Sequence, residues 1–139
     1  MTKSLDPTRP INDNCGWEHV VTDLSTFHDY ADASGMADRC RSIKDILETP
    51  LARLRGMFLG PVYGSDGSYD PGSQHQRGAP ILCTEFGGVK IASGSDELQS
   101  EVWGYTTAQD SQDLLKRVEN VMMATVRSGV VCGVVWTQL

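Results

Sequence analysis

The sequence predicts an α/β protein built around a parallel sheet. Short apolar runs at Ile81-Leu-Cys83 and Val130-Val-Cys-Gly-Val-Val-Trp136 lack the alternation of a half-exposed strand. Strands covered on both faces read in that way. Two segments, 36–48 and 108–127, space their apolar residues at three and four, as amphipathic helices do. The resulting order of strand, helix, strand, helix, strand is that of successive parallel crossovers. No internal repeat of fixed period accompanies it.

In chain order, Pro7 and Pro10 keep residues 1–10 from being mid-helix. Pro10-Ile11-Asn12 reads as a strand end, followed by the polar loop Asp13-Asn14-Cys15-Gly16-Trp17. Asn, Asp and Gly are ordinary loop residues. Trp17 is less ordinary there, since a large aromatic in a loop either packs over a site or caps the local core. A strand is expected around Thr22–His28, with His28, Asp29, Tyr30 and Asp32 emerging at its carboxyl end. Met36, Cys40, Ile43 and Ile46/Leu47 then mark the apolar face of a helix over 36–48, stopped before Pro50. Residues 51–59 are expected to add a further helical turn before Gly60.

Residues 60–79, rich in Gly, Ser, Asp, Gln and Pro, read as one long loop. Loops of that length inside a compact domain are usually functional or mobile. This one precedes the central strand, which in a barrel puts most of it on the face opposite the chemistry. Tyr63, Tyr69 and His75 therefore receive no catalytic role.

The central strand lies within Ala79–Val89. Pro80 cannot donate a ladder hydrogen bond and so belongs at the strand's first position. Glu85 comes at the end of the apolar run, where an ionisable side chain is solvated, paired or functional. Gly87 and Gly88 allow left-handed backbone immediately after it. A second polar loop over 93–97 and Trp103-Gly-Tyr105 follow. A helix from about Ala108 to Arg127 is expected to place Leu114, Leu115, Val118, Val121, Met122, Thr125 and Val126 on one face, closed by Ser128-Gly129. Val130–Trp136 is the last strand, rich in β-branched residues.

A chain of 139 residues, 40% hydrophobic and 22% charged, is long enough and apolar enough to bury a core. Its net charge of -6 and lack of any basic cluster exclude a nucleic-acid backbone as partner. Cys15, Cys40, Cys83 and Cys132 are widely spaced without a CxxC pair, so buried free thiols are expected rather than a disulfide framework. The amino terminus has no apolar core of a signal peptide and no run of about 18 apolar residues occurs, which predicts a cytoplasmic chain without a membrane span. There is no GxSxG elbow, P-loop, GxGxxG or HExxH. His19, Asp23 and His28 match no established metal spacing, and neither a metal nor a cofactor is expected.

Pro80-Ile-Leu-Cys-Thr-Glu-Phe-Gly-Gly88 resembles the nucleophile strand of glycoside hydrolase family 2, the β-galactosidase, β-glucuronidase and β-mannosidase group. Asp6-Pro-Thr-Arg-Pro-Ile-Asn-Asp-Asn-Cys-Gly-Trp17, Phe27-His-Asp-Tyr-Ala-Asp32, Trp103-Gly-Tyr105 and Gly133-Val-Val-Trp-Thr-Gln138 resemble that family too, in its order. A full (β/α)8 barrel takes about 250 residues. The resemblance therefore implies the carboxyl-terminal half of a TIM barrel, about four β/α units with parallel strands inside and amphipathic helices outside. Residues 1–139 would then form a partial catalytic domain, without the family's jelly-roll and immunoglobulin-like domains and first half-barrel.

In such a barrel the chemistry sits at the carboxyl ends of the strands. The resemblance implies Glu85 as the nucleophile of a retaining β-glycosidase, attacking the anomeric carbon to form a glycosyl ester. Tyr30 would donate its hydroxyl to that carboxylate and orient it. Trp136 would offer an apolar platform to the sugar, or pack in the core. His28 and Asp29 would bond sugar hydroxyls, or serve the structure. Asn14 and Trp17 would line a subsite. The family's general acid is a Glu following Asn on an earlier strand, and no Asn-Glu dipeptide occurs. The isolated chain is therefore expected to be inactive or nearly so. Expected partners are a β-glycoside or oligosaccharide, and a second copy meeting the exposed barrel edges. The rival expectation is a non-catalytic carbohydrate-binding or scaffold half-barrel acting as a dimer.

Overall fold

The computed structural model describes residues 2–49, 56–92 and 106–137. Its strands are β1 (Ser25–Asp29), β2 (Val62–Tyr63), β3 (Tyr69–Asp70), β4 (Ile81–Gly87), β5 (Val89–Ile91), β6 (Thr106–Ala108) and β7 (Val131–Thr137). Its helices are the short turn α1 (Thr2–Leu5), α2 (Ala33–Arg39), α3 (Ile43–Glu48) and α4 (Ser111–Val126). The protein is mixed α/β with parallel pairing, as the sequence predicts. The main sheet has the order β1-β4-β7, every pair parallel. Three strands stand in it among the described residues, one fewer than the half-barrel expectation. A separate parallel pair, β5 with β6, follows the glycines after β4.

β4 is the central strand and carries the most buried residues of the three, Ile81, Cys83, Phe86 and Gly87, and it ends where its chemistry dictates. Pro80 sits just before it, and its carbonyl accepts from Ser25 N at 2.9 Å, which locks the start of β1 to the start of β4. Gly87 and Gly88 both have positive φ, +99° and +63°, so the chain turns there as expected. At Gly87 a Cβ would lie 2.8 Å from the Trp136 ring, so the residue also makes room for the neighbouring strand's aromatic.

The helices cover one face of this sheet. Phe27, Cys83 and Phe86 pack there with Met36, Cys40, Ile46 and Val121, all fully or almost fully buried. Arg39 lies in the same layer, 5% exposed, its guanidinium 4.6 Å above the Phe27 ring and its Nη1 2.6 Å from Asp29 Oδ2. The opposite face is covered by the amino-terminal loop. His19, fully buried, bonds Asp13 Oδ1 through Nδ1 at 2.7 Å and meets the Thr26 backbone and hydroxyl with Nε2. Asp13 Oδ2 accepts from the Val20 and Val21 N–H groups, which closes the loop on itself.

Several sequence expectations shift. The first strand runs three residues later than Thr22, because Thr22 and Asp23 bond back to Ile11. The helix over 36–48 is two helices. Ser42 has extended backbone and caps α3 through Asp45 N, and a residue in that conformation cannot continue a helix. Residues 60–79 are not one structureless loop, since β2 and β3 form a small antiparallel pair with Tyr63 against Tyr69. In α4 the buried face holds Val121 and Thr125, while Leu115 is 67% exposed and lies off it. Cys15 and Cys132 are exposed rather than buried; only Cys40 and Cys83 are core thiols, and all four are free. The loop over 93–97, Trp103-Gly-Tyr105, Gln138 and positions 51–55 of the expected helical turn lie outside the described residues. Among the described residues no helix is long and apolar enough to cross a membrane.

Candidate functional site

The site is created by a register shift. Along β1 and β4 the partners are Ser25 with Ile81, Thr26 with Leu82 and Phe27 with Cys83, and then His28 with Glu85. Thr84 is the extra residue, a bulge of the kind that re-aims side chains next to sites. It brings Thr84 and Glu85 together between the buried Cys83 and Phe86. Thr84 then meets Cys15 of the amino-terminal loop, and Glu85 meets His28 of β1.

There, His28 is clamped between two groups. Its Nδ1 lies 2.8 Å from Glu85 Oε2, a close contact, although the oxygen sits off the axis of a well-directed N–H bond. Its Nε2 lies 3.0 Å from Cys15 Sγ. That sulfur is also 3.6 Å from Thr84 Oγ1. The His28 side chain is 10% exposed and that of Glu85 is 34% exposed, so the carboxylate reaches solvent far more than the ring does. Burial pushes the His28 imidazole below its ordinary value, and the Glu85 charge opposes that without reversing it. Near neutral pH the ring is therefore uncharged, and the adjacent carboxylate favours its proton on Nδ1.

The ring is held by its surroundings. Gly16, at φ +95°, passes so close that a Cβ would lie 2.5 Å from His28 Cδ2. Its N–H donates to Thr26 Oγ1 at 3.0 Å. Trp17 meets the ring edge-on, with centroids 4.8 Å apart. Asn14 shapes this turn: Oδ1 accepts from Cys15 N at 2.8 Å and its carbonyl lies 3.3 Å from Thr26 Oγ1.

Of the residues singled out from the sequence, Glu85, His28 and Trp17 come together. Tyr30 follows directly on the carboxyl end of β1 and is half-buried. Asp29 is turned to the helix side, with Oδ1 accepting from Ala31 N at 2.9 Å and Oδ2 from Arg39. Both its oxygens are engaged within the fold. Trp136 stands opposite Phe86 in the register and meets it edge-to-face at 5.1 Å, next to Gly87. That places it against the core layer and not beside Glu85. His75 bonds Ser25 Oγ at the amino end of β1.

Cys15 and Thr84 were not anticipated. Cys15 had a legible sign, since its neighbours Asn14 and Gly16 are loop formers and not an apolar run. Thr84 had none, because a bulge exists only relative to a partner strand. Chemically, the constellation offers a solvent-reaching carboxylate, a buried neutral imidazole and an exposed thiol in one line. Among the described residues no group of three His, Cys, Asp or Glu side chains is arranged to hold a metal ion. Comparison with known proteins finds no family model that matches the chain and no curated protein that matches it.

Proposed function

We propose that the chain carries the nucleophile side of a retaining β-glycosidase site, with Glu85 as the nucleophile of a partial barrel of the family 2 kind. One observation carries the reading: Glu85 stands near the carboxyl end of the central parallel strand, half-exposed beside a bulge, with Oε2 2.8 Å from His28 Nδ1. Nucleophiles of parallel α/β enzymes occupy that position. The ordered series of motifs around Asn14, Phe27–Asp32, Glu85 and Trp136 supports the substrate class, a β-linked glycoside.

The reaction needs two carboxyl groups about 5–5.5 Å apart. In this reading the general acid comes from outside residues 1–139. Glu85 would attack the anomeric carbon, and His28 would act as a positioning residue by holding one carboxylate oxygen. Tyr30 would orient the same carboxylate and Trp17 would border the sugar. A leaving group that needs no protonation bypasses the missing acid, and this separates the nucleophile's action from full turnover.

The test follows from that separation. The chain is incubated with dinitrophenyl β-galactoside, β-glucuronide and β-mannoside analogues carrying fluorine on the carbon next to the anomeric centre. Such analogues form the glycosyl ester and release it slowly. Mass spectrometry is expected to find one glycosyl unit on the peptide containing Glu85 with at least one of the three, and none with Glu85→Gln. A folded chain that acquires no adduct from any of them would refute the nucleophile assignment.

A further inference from the structure

We propose that Cys15 is an activated thiol and a covalent modification site for soft carbon electrophiles such as α,β-unsaturated carbonyl compounds, with His28 as its base. Glu85 is the positioning residue behind that base. The inference does not rest on what Glu85 acts upon; it rests on the line Cys15 Sγ, His28 and Glu85, with contacts of 3.0 Å and 2.8 Å on opposite ring nitrogens. A carboxylate at Nδ1 favours the proton there and leaves the Nε2 lone pair facing the sulfur. A thiol beside a neutral imidazole held in that tautomer is the arrangement in which the base activates the nucleophile.

Two further observations separate this from an incidental contact. The His28 side chain is nine-tenths buried, and its two ring nitrogens face the cluster, Nδ1 toward Glu85 and Nε2 toward Cys15. Its position is also enforced from behind by Gly16, where no Cβ fits, and from the edge by Trp17. The sulfur itself is on the exposed loop, where a reagent can reach it.

In the reaction the Sγ proton moves to His28 Nε2 as sulfur bonds to the β-carbon of the electrophile. The π pair of the C=C bond shifts to give an enolate, and the imidazolium returns the proton to the α-carbon. The net change is addition of S–H across the double bond. Nothing leaves, and His28 ends neutral as it began. The adduct then occupies the space beside the His28–Glu85 pair and closes it to other ligands.

The remaining cysteines supply the controls. Cys40 and Cys83 are buried, which pushes their thiols up to about 11 and about 12. They stay unreactive while the chain is folded. Cys132 is exposed like Cys15, and its Sγ–H donates to the Val130 carbonyl at 3.9 Å.

The experiment is a time course with limiting N-ethylmaleimide near neutral pH, read by peptide mass spectrometry. Cys15 is expected to react at least about tenfold faster than Cys132. The ratio is expected to fall to near one in His28→Gln and to drop severalfold in Glu85→Ala. Equal rates in the unaltered chain, or a ratio unchanged in a folded His28→Gln, would overturn the proposal. Folding is read in the same spectra, since unfolding exposes Cys40 and Cys83 to labelling. Should His28→Gln unfold, the folded Glu85→Ala decides, and an unchanged ratio there would also overturn it. No glycoside is present, so failure here leaves the glycosylation of Glu85 untouched.

Discussion

At the scale of single residues, Gly16 decides whether the cleft exists. Its φ of +95° is left-handed, and its missing Cβ is the space that the His28 ring fills. Gly16→Ala therefore meets both a backbone and a packing penalty, and is expected to cost about 2–3 kcal/mol in denaturant unfolding. Gly78 separates the two terms. It has a similar φ of +89° with nothing within 4 Å of a built Cβ, so Gly78→Ala is expected to cost only about 1 kcal/mol. A smaller loss at Gly16 than at Gly78 would mean that the ring is not held as described. The Glu85 and Cys15 labelling experiments belong to the same scale, and each tests one atom of the line.

At the scale of elements, α4 shows how local sequence and packing divide the work. Asp110 has extended backbone and accepts from Gln112 N at 2.9 Å and Asp113 N at 2.8 Å, while Asp113 Oδ2 accepts from Gln109 N at 3.0 Å. This reciprocal capping satisfies N–H groups that the first helical turn leaves without partners. Asp110→Ala is expected to cost about 1 kcal/mol and to lower Tm by a few degrees without changing the fold. Because α4 packs on α2 and on the face of β4 and β7 remote from Glu85, Cys15 reactivity should survive that change. The bulge in β4 is the complementary case. It has no capping motif or turn residue to announce it, and it exists because β1 and β4 keep both Phe27 opposite Cys83 and His28 opposite Glu85.

At the scale of the whole molecule, the buried imidazole links stability to pH. Burial holds His28 below its ordinary value, so the fold favours the neutral ring. The associated stability is fully present above the ordinary histidine value of about 6.5 and is lost as pH falls below it. The carboxylates act lower. Asp13 is raised by burial, but bonds from His19, Val20 and Val21 outweigh this and bring it below its ordinary value, so its contribution is lost in the acid range below about pH 4. Denaturant unfolding at about pH 7.5 and about pH 5 is expected to show a larger loss for the unaltered chain than for His28→Gln. Equal losses would place the pH dependence elsewhere. β1 and β7 are the outer strands of the described sheet, and the exposed Val135 lies on the second of them.

The amino-acid sequence by itself determined the parallel α/β character, the central strand from Pro80 to Gly88, the carboxylate near its end and the long helix before β7. Each of these depends on local chemistry: apolar run length, helical spacing, the missing N–H of proline and the freedom of glycine. The tertiary structure decided what Glu85 faces. His28, Cys15 and Glu85 are far apart in the chain, and they meet because Asp13 and His19 fold the amino-terminal loop onto Thr26 and because one bulge offsets two strands. Such contacts leave no period in the sequence, since they depend on register between segments and not on spacing within one.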